Sequence, residues 1–502
     1  MNTTTRTGLA LLPTALALGL LGDQFLRAAP GLNVFLWTLV GLAAFGVLIL
    51  RLGYSKLGEG AWLIVPAILL AAGVAWRDSS TLKTLDILGL LICLAIGAAR
   101  TRAGQIRLAG ILDYVADVFF AGFQAAFGVF GLIFRDVAWR DVPRTGWLPR
   151  VLAVARGLIL VLPLLMLFGG LLMAADAVYQ RLISNALHFD TGTFLSHFFL
   201  ALFLAWLVAG FGRALLLTNA PTLPAEKRAA MPSLGILETS VILGLLNLLF
   251  LSFVVVQIRY LFGASSTIQA TAGLTYAQYA RTGFFELVWV AALVLPFLLG
   301  LHWLQRPDDT RAQRLFTWQA GVQVLLLFVI MASALTRMRL YQSEYGLTEL
   351  RLYTTAFMGW LAVVFAWFML TVLRGQRPRF AFGAAVTGFC VICALHIVNP
   401  DAAIVRANLA HASKGHAFDA DYAASLSADA APALVHALPM LPPTAQGTIA
   451  QTLLQNDTGP ADWRAWSLGR ALAFHAVQSR RAALLTEQKF APPTPPASPA
   501  DN

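Results

Sequence analysis

A chain of 502 residues with 58% apolar residues, only 12% charged residues and a mean hydropathy of +0.71 lies outside the soluble range, where about a quarter of residues are charged. The bilayer is its solvent, so long apolar runs without period-two alternation are helices rather than barrel strands. The formal charge of +11 does not point to nucleic acid, because the arginines are spread over short loops between apolar runs, where they set orientation.

Four spans are predicted in residues 1–100, near 8–25, 31–50, 60–76 and 82–99. The first run leads directly into further spans and reads as a membrane helix, not a cleaved leader. Residues 101–150 form a basic cytoplasmic segment. Within it, 105–134 is apolar enough nearly to cross, but Arg100, Arg102 and Arg107 precede it and Arg135, Arg140, Arg144 and Arg150 follow. A crossing would export one of those clusters. Asp113 and Asp117 lie one turn apart beside a Phe-rich face, so an interfacial or re-entrant helix is expected; a true crossing would raise the count from eleven spans to twelve. Residues 151–398 form a seven-span core, near 151–175, 193–215, 234–258, 280–303, 314–336, 349–373 and 379–398.

Alternate loops carry the basic residues, among them Arg51, Arg213, Arg314 and Arg377, which assigns those loops and the N-terminus to the cytoplasm and everything after residue 398 to the outside. Residues 399–502 hold seven Lys or Arg against eight Asp or Glu, whereas the preceding part holds 29 against 17, so the texture changes at Asn399. Residues 399–490 are Ala-rich with helical periodicity and are expected to form an extracytoplasmic bundle of about four helices, a surface for an envelope protein partner. Residues 491–502 read as a disordered Pro-rich tail.

Polar residues gather at three outer helix ends. Gln257, Arg259 and Tyr260 close one span, and Tyr276, Tyr279, Arg281 and Glu286 open the next, with Thr275 and Gln278 as a capping box. Between the ninth and tenth spans, Arg337, Tyr341 and Glu344 share a face, Gly346 can end that helix, and Thr348 can cap one carrying Glu349 and Arg351. Asp176 ends the fifth span on the same side. Together these residues are a candidate outer-face polar site in which Glu286 would pair with an arginine such as Arg259, Arg281 or Arg337, since an unpaired charge in a membrane is costly. The alternative is an aromatic belt with ion pairs locking helix ends.

Weaker candidates are Asn247, which suits an interhelical hydrogen bond, and His197, which has no acidic partner nearby in sequence. Cys390 and Cys393 form a CxxC pair inside an apolar run and read as packing residues. His411 and His416 lack a metal-site context, and there is no Walker loop, GxSxG or Rossmann fingerprint. Neither a cofactor, a metal nor a catalytic residue is assigned.

The motifs LLMAADAVYQRL, LTYAQYARTGFFELVWVAAL, SALTRMRLYQSEYGLTELRLY and, beyond the last span, VRANLAHASKGHAFDADYAASLSADAAPAL resemble those of bacterial multi-pass membrane proteins grouped as domain of unknown function 4153/4173, over roughly residues 150–480. The resemblance implies a bacterial inner-membrane location and carries no substrate or active site with it. The chain is therefore expected to be an all-α, polytopic membrane helix bundle with a small soluble helical C-terminal domain. Its expected role is that of a non-enzymatic envelope protein, the alternatives being a transporter or channel for a small solute or ion, and a membrane-embedded enzyme acting on a lipid-linked or glycan substrate.

Overall fold

Lipid offers the backbone no hydrogen-bond partner, so each apolar run must close its own bonds. The computed structural model describes residues 2–53, 58–102, 104–141, scattered positions from 161 to 179, 191–218, 234–262, 284–305, 310–456, 459 and 462–491. Among them, eleven helices are long and apolar enough to cross a membrane. They are α1 (Thr3–Leu26), α2 (Leu32–Arg51), α3 (Ile64–Trp76, preceded by a 3₁₀ turn, Glu59–Leu63), α4 (Ser80–Arg100) and α5 (Ile111–Gly131, prolonged by a π turn, Leu132–Asp136). The rest are α6 (Thr191–Leu216), α7 (Ile236–Phe262), α8 (Phe284–Leu304), α9 (Thr310–Tyr345), α10 (Glu349–Thr371) and α11 (Phe380–Val398). The total matches the expected number, but the membership differs. It includes α5, whereas the run near 151–175 lies outside the described residues apart from scattered positions. Threonines inside these helices bond back to their own turns, as in Thr38 to the carbonyl of Val34 and Thr371 to that of Trp367.

Two packing groups make up the body. Helices α7–α11 close around Phe316, Phe365, Phe368 and Phe380, all buried. Helices α1, α2, α4 and α6 pack around Leu11, Leu18, Phe45 and Leu216, and α3 joins the two groups by packing with α4 against Phe389 and Ile392 of α11. Helices α1 and α6 run antiparallel and touch through small residues, the close-approach device of membrane helices. A Cβ on Gly19 would stand 2.5 Å from the carbonyl oxygen of Ala201 and 2.6 Å from Cβ of Ala205.

Helix α5 has an unusual set of ties. Asp117 bonds Arg100, the last residue of α4, at 2.5 Å. Asp136, just beyond α5, bonds Arg213 in the last turn of α6 at 2.5 Å, and its carbonyl accepts from Thr5 at the start of α1. Both ends of α5 are thus fastened where α4 and α6 finish and α1 begins. Its Phe119, Phe123, Phe127 and Phe130 all face outward.

After α11 the chain turns once, at Asn399, whose φ of 54° is the only positive value outside glycine among the described residues. Asparagine tolerates this left-handed geometry, and its side chain caps the next helix by accepting from the N–H of Ala402. Pro400 then starts α12 (Pro400–Ala412), followed by α13 (Ala420–Ser425), α14 (Ala431–Ala437), α15 (Pro443–Gln455), α16 (Leu468–Ser479) and α17 (Arg481–Glu487). Six short helices replace the four expected, because the side chains of Asp419, Ser427 and Ser467 each restart a helical segment and Pro432 and Pro443 open new first turns. They share a core of their own built on Leu434, Leu438, Ile449 and Leu484.

Replacing Gly19 by leucine should overpack the α1–α6 crossing and cost about 1–3 kcal/mol. Gly41, where an added Cβ would meet nothing within 4 Å, should accept the same change. Thermal unfolding in detergent should fall for the first variant and stay level for the second.

Candidate functional site

Among the described residues singled out by sequence, the structure brings Gln257 to Arg337 and Tyr341 to Arg351, while Asp176 closes a turn of its own. Gln257 is buried in α7, and its Oε1 accepts from Ser333 Oγ at 3.0 Å and Arg337 Nη2 at 2.8 Å, both on α9. Arg259 and Tyr260 belong to the last turns of α7, but their side chains are outside the described residues, as are Tyr276, Tyr279 and Arg281 altogether. Glu286 is exposed on the first turn of α8. Asp176 accepts from the N–H groups of Val178 and Tyr179 and so closes its own turn. Asn247 donates from Nδ2 to the carbonyl of Gln319, an interhelical bond.

The motif around Tyr341–Arg351 is a docking joint. Helix α9 ends at Tyr345, Gly346 has φ 71°, and α10 starts after Thr348, as the residues predict. Arg351 stacks on the Tyr341 ring at 4.1 Å and donates to the carbonyls of Tyr345 and Gly346. Asn408 of α12 makes a reciprocal pair with the backbone of Leu347, at 2.6 and 2.9 Å, while the N–H of Glu349 donates to the Tyr422 hydroxyl. A Cβ at position 346 would lie 2.7 Å from Asn408 Oδ1, so only glycine fits both the turn and the contact. Glu344 is exposed beside this joint.

A second joint was not read from the sequence. The turn Arg77–Asp78–Ser79 between α3 and α4 lies under the C-terminal helices. Asp429 Oδ2 accepts the N–H of Asp78 at 2.6 Å and of Ser79 at 3.0 Å, so a carboxylate from 350 residues away caps α4, whose positive end favours an anion. Arg77 does the converse at α11. Its guanidinium donates to the carbonyl of His396 at 2.9 and 2.5 Å, placing a cation at a helix C-terminus, and stands 3.9 Å from Asp429 Oδ1. Asp78 Oδ1 takes both Lys83 Nζ at 2.6 Å and Arg470 Nε at 2.8 Å. A Cβ on Gly469 would fall 2.2 Å from Asp429 Oδ1, so glycine lets α16 come this close.

Burial governs the charges here. It pushes the Asp401 carboxyl up to about 6, opposed by the hydrogen bond from Ser427 and reinforced by Glu349 and Asp429. It raises Asp429 too, opposed by the N–H groups of Asp78 and Ser79 and by Arg77. Arg77 is lowered by the same burial, against the attraction of Asp429 and Asp401.

Two further pairs lock helices below this end. His396 Nε2 lies 3.0 Å from both carboxylate oxygens of Asp86, with the Trp76 ring stacked on the imidazole at 5.7 Å; Asp86 is 0% and His396 4% exposed. Asp23 of α1, also buried, takes His197 Nδ1 at 2.6 Å and Arg27 Nε at 2.9 Å. His197 thus has the acidic partner that its sequence neighbours lack. Lys83 and Asp86 inside an apolar run were the available signal for the first pair, since ionisable residues in a span have to be paired. His411 and His416 stack at 3.8 Å, and no metal-ligand group of three or more occurs among the described residues.

The C-terminal helices also carry an open cleft of about 690 Å³, lined by Leu434, Leu453, Ala473 and Val477 together with polar residues, among them Asp78, Asn456, Asp462 and Arg470.

Eleven apolar helices joined at one end to a cap of short helices define an integral, multi-pass membrane protein. The family model described as domain of unknown function (DUF4153) matches residues 64–437, and the chain belongs to that family. The match starts further upstream than the motifs carried the resemblance and takes in both halves of the buried joint, the Arg77–Ser79 turn and Asp429. No curated protein and no solved structure matches the chain.

Arg77→Ala should leave Asp429 buried without its cation and α11 without its cap, a loss of about 3–5 kcal/mol, seen as protease release of the C-terminal helices. For Asp401 the folded chain holds the proton more tightly than the unfolded chain. Its stabilising contribution is complete below about pH 4 and is lost as pH rises through about 6, so unfolding in detergent should need roughly 2 kcal/mol less at pH 7 than at pH 4.5. Asp401→Asn should flatten that slope, leaving only the part that Asp429 contributes with the same sign.

Proposed function

We propose that this is a non-enzymatic protein of the bacterial cytoplasmic membrane whose C-terminal helices stand at the extracytoplasmic face as a rigid platform for an envelope protein partner. The observation that carries this reading is the fastening of the cap. It is held at the α3–α4 turn by Asp429, at the α9–α10 turn by Asn408 and Tyr422, at α2 by the Leu32 N–H on the Trp466 carbonyl, and at α1 by Arg464 on the Gln24 carbonyl. A domain tied down by hydrogen bonds at four helix ends does not swing, which suits presentation of a fixed surface. Orientation rests on the opposite end of the bundle, where Arg51, Arg100, Arg213, Arg314 and Arg377 collect.

In this arrangement α5 lies flat at the cytoplasmic rim, with its phenylalanines in the leaflet and Asp117 and Asp136 turned to Arg100 and Arg213. Helix α4 finishes at that rim, and α6 starts at the cap end beside α1, where His197 meets Asp23.

One observation favours transport as the second reading. Thr239 Oγ1, Asn247 Oδ1, Gln319 Oε1 and Gln323 Oε1, all on α7 or α9, are buried without a hydrogen-bond partner among the described residues, an acceptor-rich row that a permeating cation or water would satisfy.

A single cysteine at Leu485 should react with an impermeant maleimide in intact spheroplasts; labelling only after lysis would put the cap in the cytoplasm and end the platform reading. Bimane probes at Phe119 and Phe130 should report equal depth, whereas a crossing α5 would separate them by roughly 16 Å. Transport instead predicts that Gln323→Leu abolishes a solute flux into proteoliposomes without lowering yield.

A further inference from the structure

We propose that the cleft in the C-terminal helices takes the acyl chain of a membrane lipid, drawn tail-first from the adjacent leaflet. The proposal goes beyond the platform reading and holds whichever face of the membrane the cap occupies.

The chemistry of the walls selects the occupant. Leu434, Leu453 and Val477 reach the lining from the bundle's core, among Ala428, Ala431 and Ala473, and the polar side chains set between them are Ser427, Thr452, Asn456 and His475. A peptide or a sugar carries more amides or hydroxyls than these side chains could pair, and burying them unpaired is unfavourable. A hydrocarbon chain has no such groups. The cleft's volume of about 690 Å³ lies within the usual range for ligand pockets, roughly 300–1,000 Å³.

The mouth is built at the membrane surface. Trp466 lines the cleft, and its carbonyl accepts the N–H of Leu32, the first residue of α2. Asp78, also on the lining, belongs to the turn between two membrane helices and is bonded there to Arg470 at 2.8 Å. Just outside, Trp463 is 57% exposed with its ring edge-on to Phe25 of α1, the setting of an interfacial aromatic anchor. These contacts set the lining against the first residues of α2 and the turn before α4, and the Asp78–Arg470 pair and Asp462 present both signs of charge to a zwitterionic headgroup.

The test uses the full-length protein in phosphatidylethanolamine nanodiscs containing a small fraction of phosphatidylethanolamine with a diazirine near the end of one chain. After photolysis, adducts are mapped by peptide mass spectrometry. Adducts are expected on residues 428–434 and 468–477 as well as on the spanning helices. Ala473→Trp, which fills the floor, should cut the cleft adducts by about fivefold or more and leave those on α7–α11 unchanged. If that variant does not fold, Ala431→Leu serves in its place, and the wild-type map stands without either. Adducts confined to the spanning helices would overturn the proposal, and so would cleft adducts that neither variant reduces. Labelling of the cleft by a soluble diazirine alcohol but not by the lipid would assign it to a free apolar molecule and equally end the lipid reading. An inverted topology would appear in the cysteine-labelling experiment and not here, so the two failures are separable.

Discussion

One carboxylate, Asp429, joins the C-terminal helices to two membrane helices at once. A membrane helix that starts at the surface leaves its first N–H groups without partners, and one that ends there leaves its last carbonyls bare. Asp429 meets the first need at α4 and Arg77 the second at α11, and the two stand beside each other. The same contact therefore closes two membrane helices and fixes the domain that follows them. Its cost is the burial of charge, which is why Asp401 and Asp429 are raised and Arg77 lowered at one spot. Buried charge pairs add little net stability over well-packed apolar residues, but removing one member is expensive. Such a joint specifies position more than it adds strength.

How much of this was legible depended on the range over which each rule acts. Spans were readable because the lipid imposes a local demand on composition: the expected 31–50 and 379–398 correspond to Leu32–Arg51 and Phe380–Val398. Gly346 and Thr348 were readable for the same reason, since a helix stop and restart is written in three neighbouring residues. Helix α9 continues its expected span, 314–336, through the face of Arg337, Tyr341 and Glu344 to Tyr345, the stop that Gly346 marks, and starts a turn earlier, at Thr310. The partners of His197, Asp86 and the Arg77 turn were not readable. They lie 174, 310 and some 350 residues away in sequence, and no local pattern says which of several acidic residues arrives.

The candidate polar site was read as a pocket gathered from three helix ends, and its described members divide by role. Arg351, Tyr341 and the backbone of Glu349 serve the joint to α12 and α13. Gln257 and Arg337 meet inside the α7–α9 contact. The density of tyrosine and arginine that singled out these stretches thus has one source in domain docking, which needs planar, multidentate donors at a wet and crowded boundary.

The alanine content of the C-terminal segment follows from the same geometry. Close packing of short helices on a membrane end requires small residues where α16 passes Asp429, and Gly469 meets that need. Away from the contact, small residues of α14 and α16, Ala431, Ala471 and Ala473, line one side of the cleft, against the packed core of the bundle. A bundle evolved only for stability would have closed it with leucine or phenylalanine, since each buried methylene contributes about 0.8 kcal/mol. A cleft left beside a packed core and a rigid, multiply capped joint therefore suits a domain shaped for occupancy.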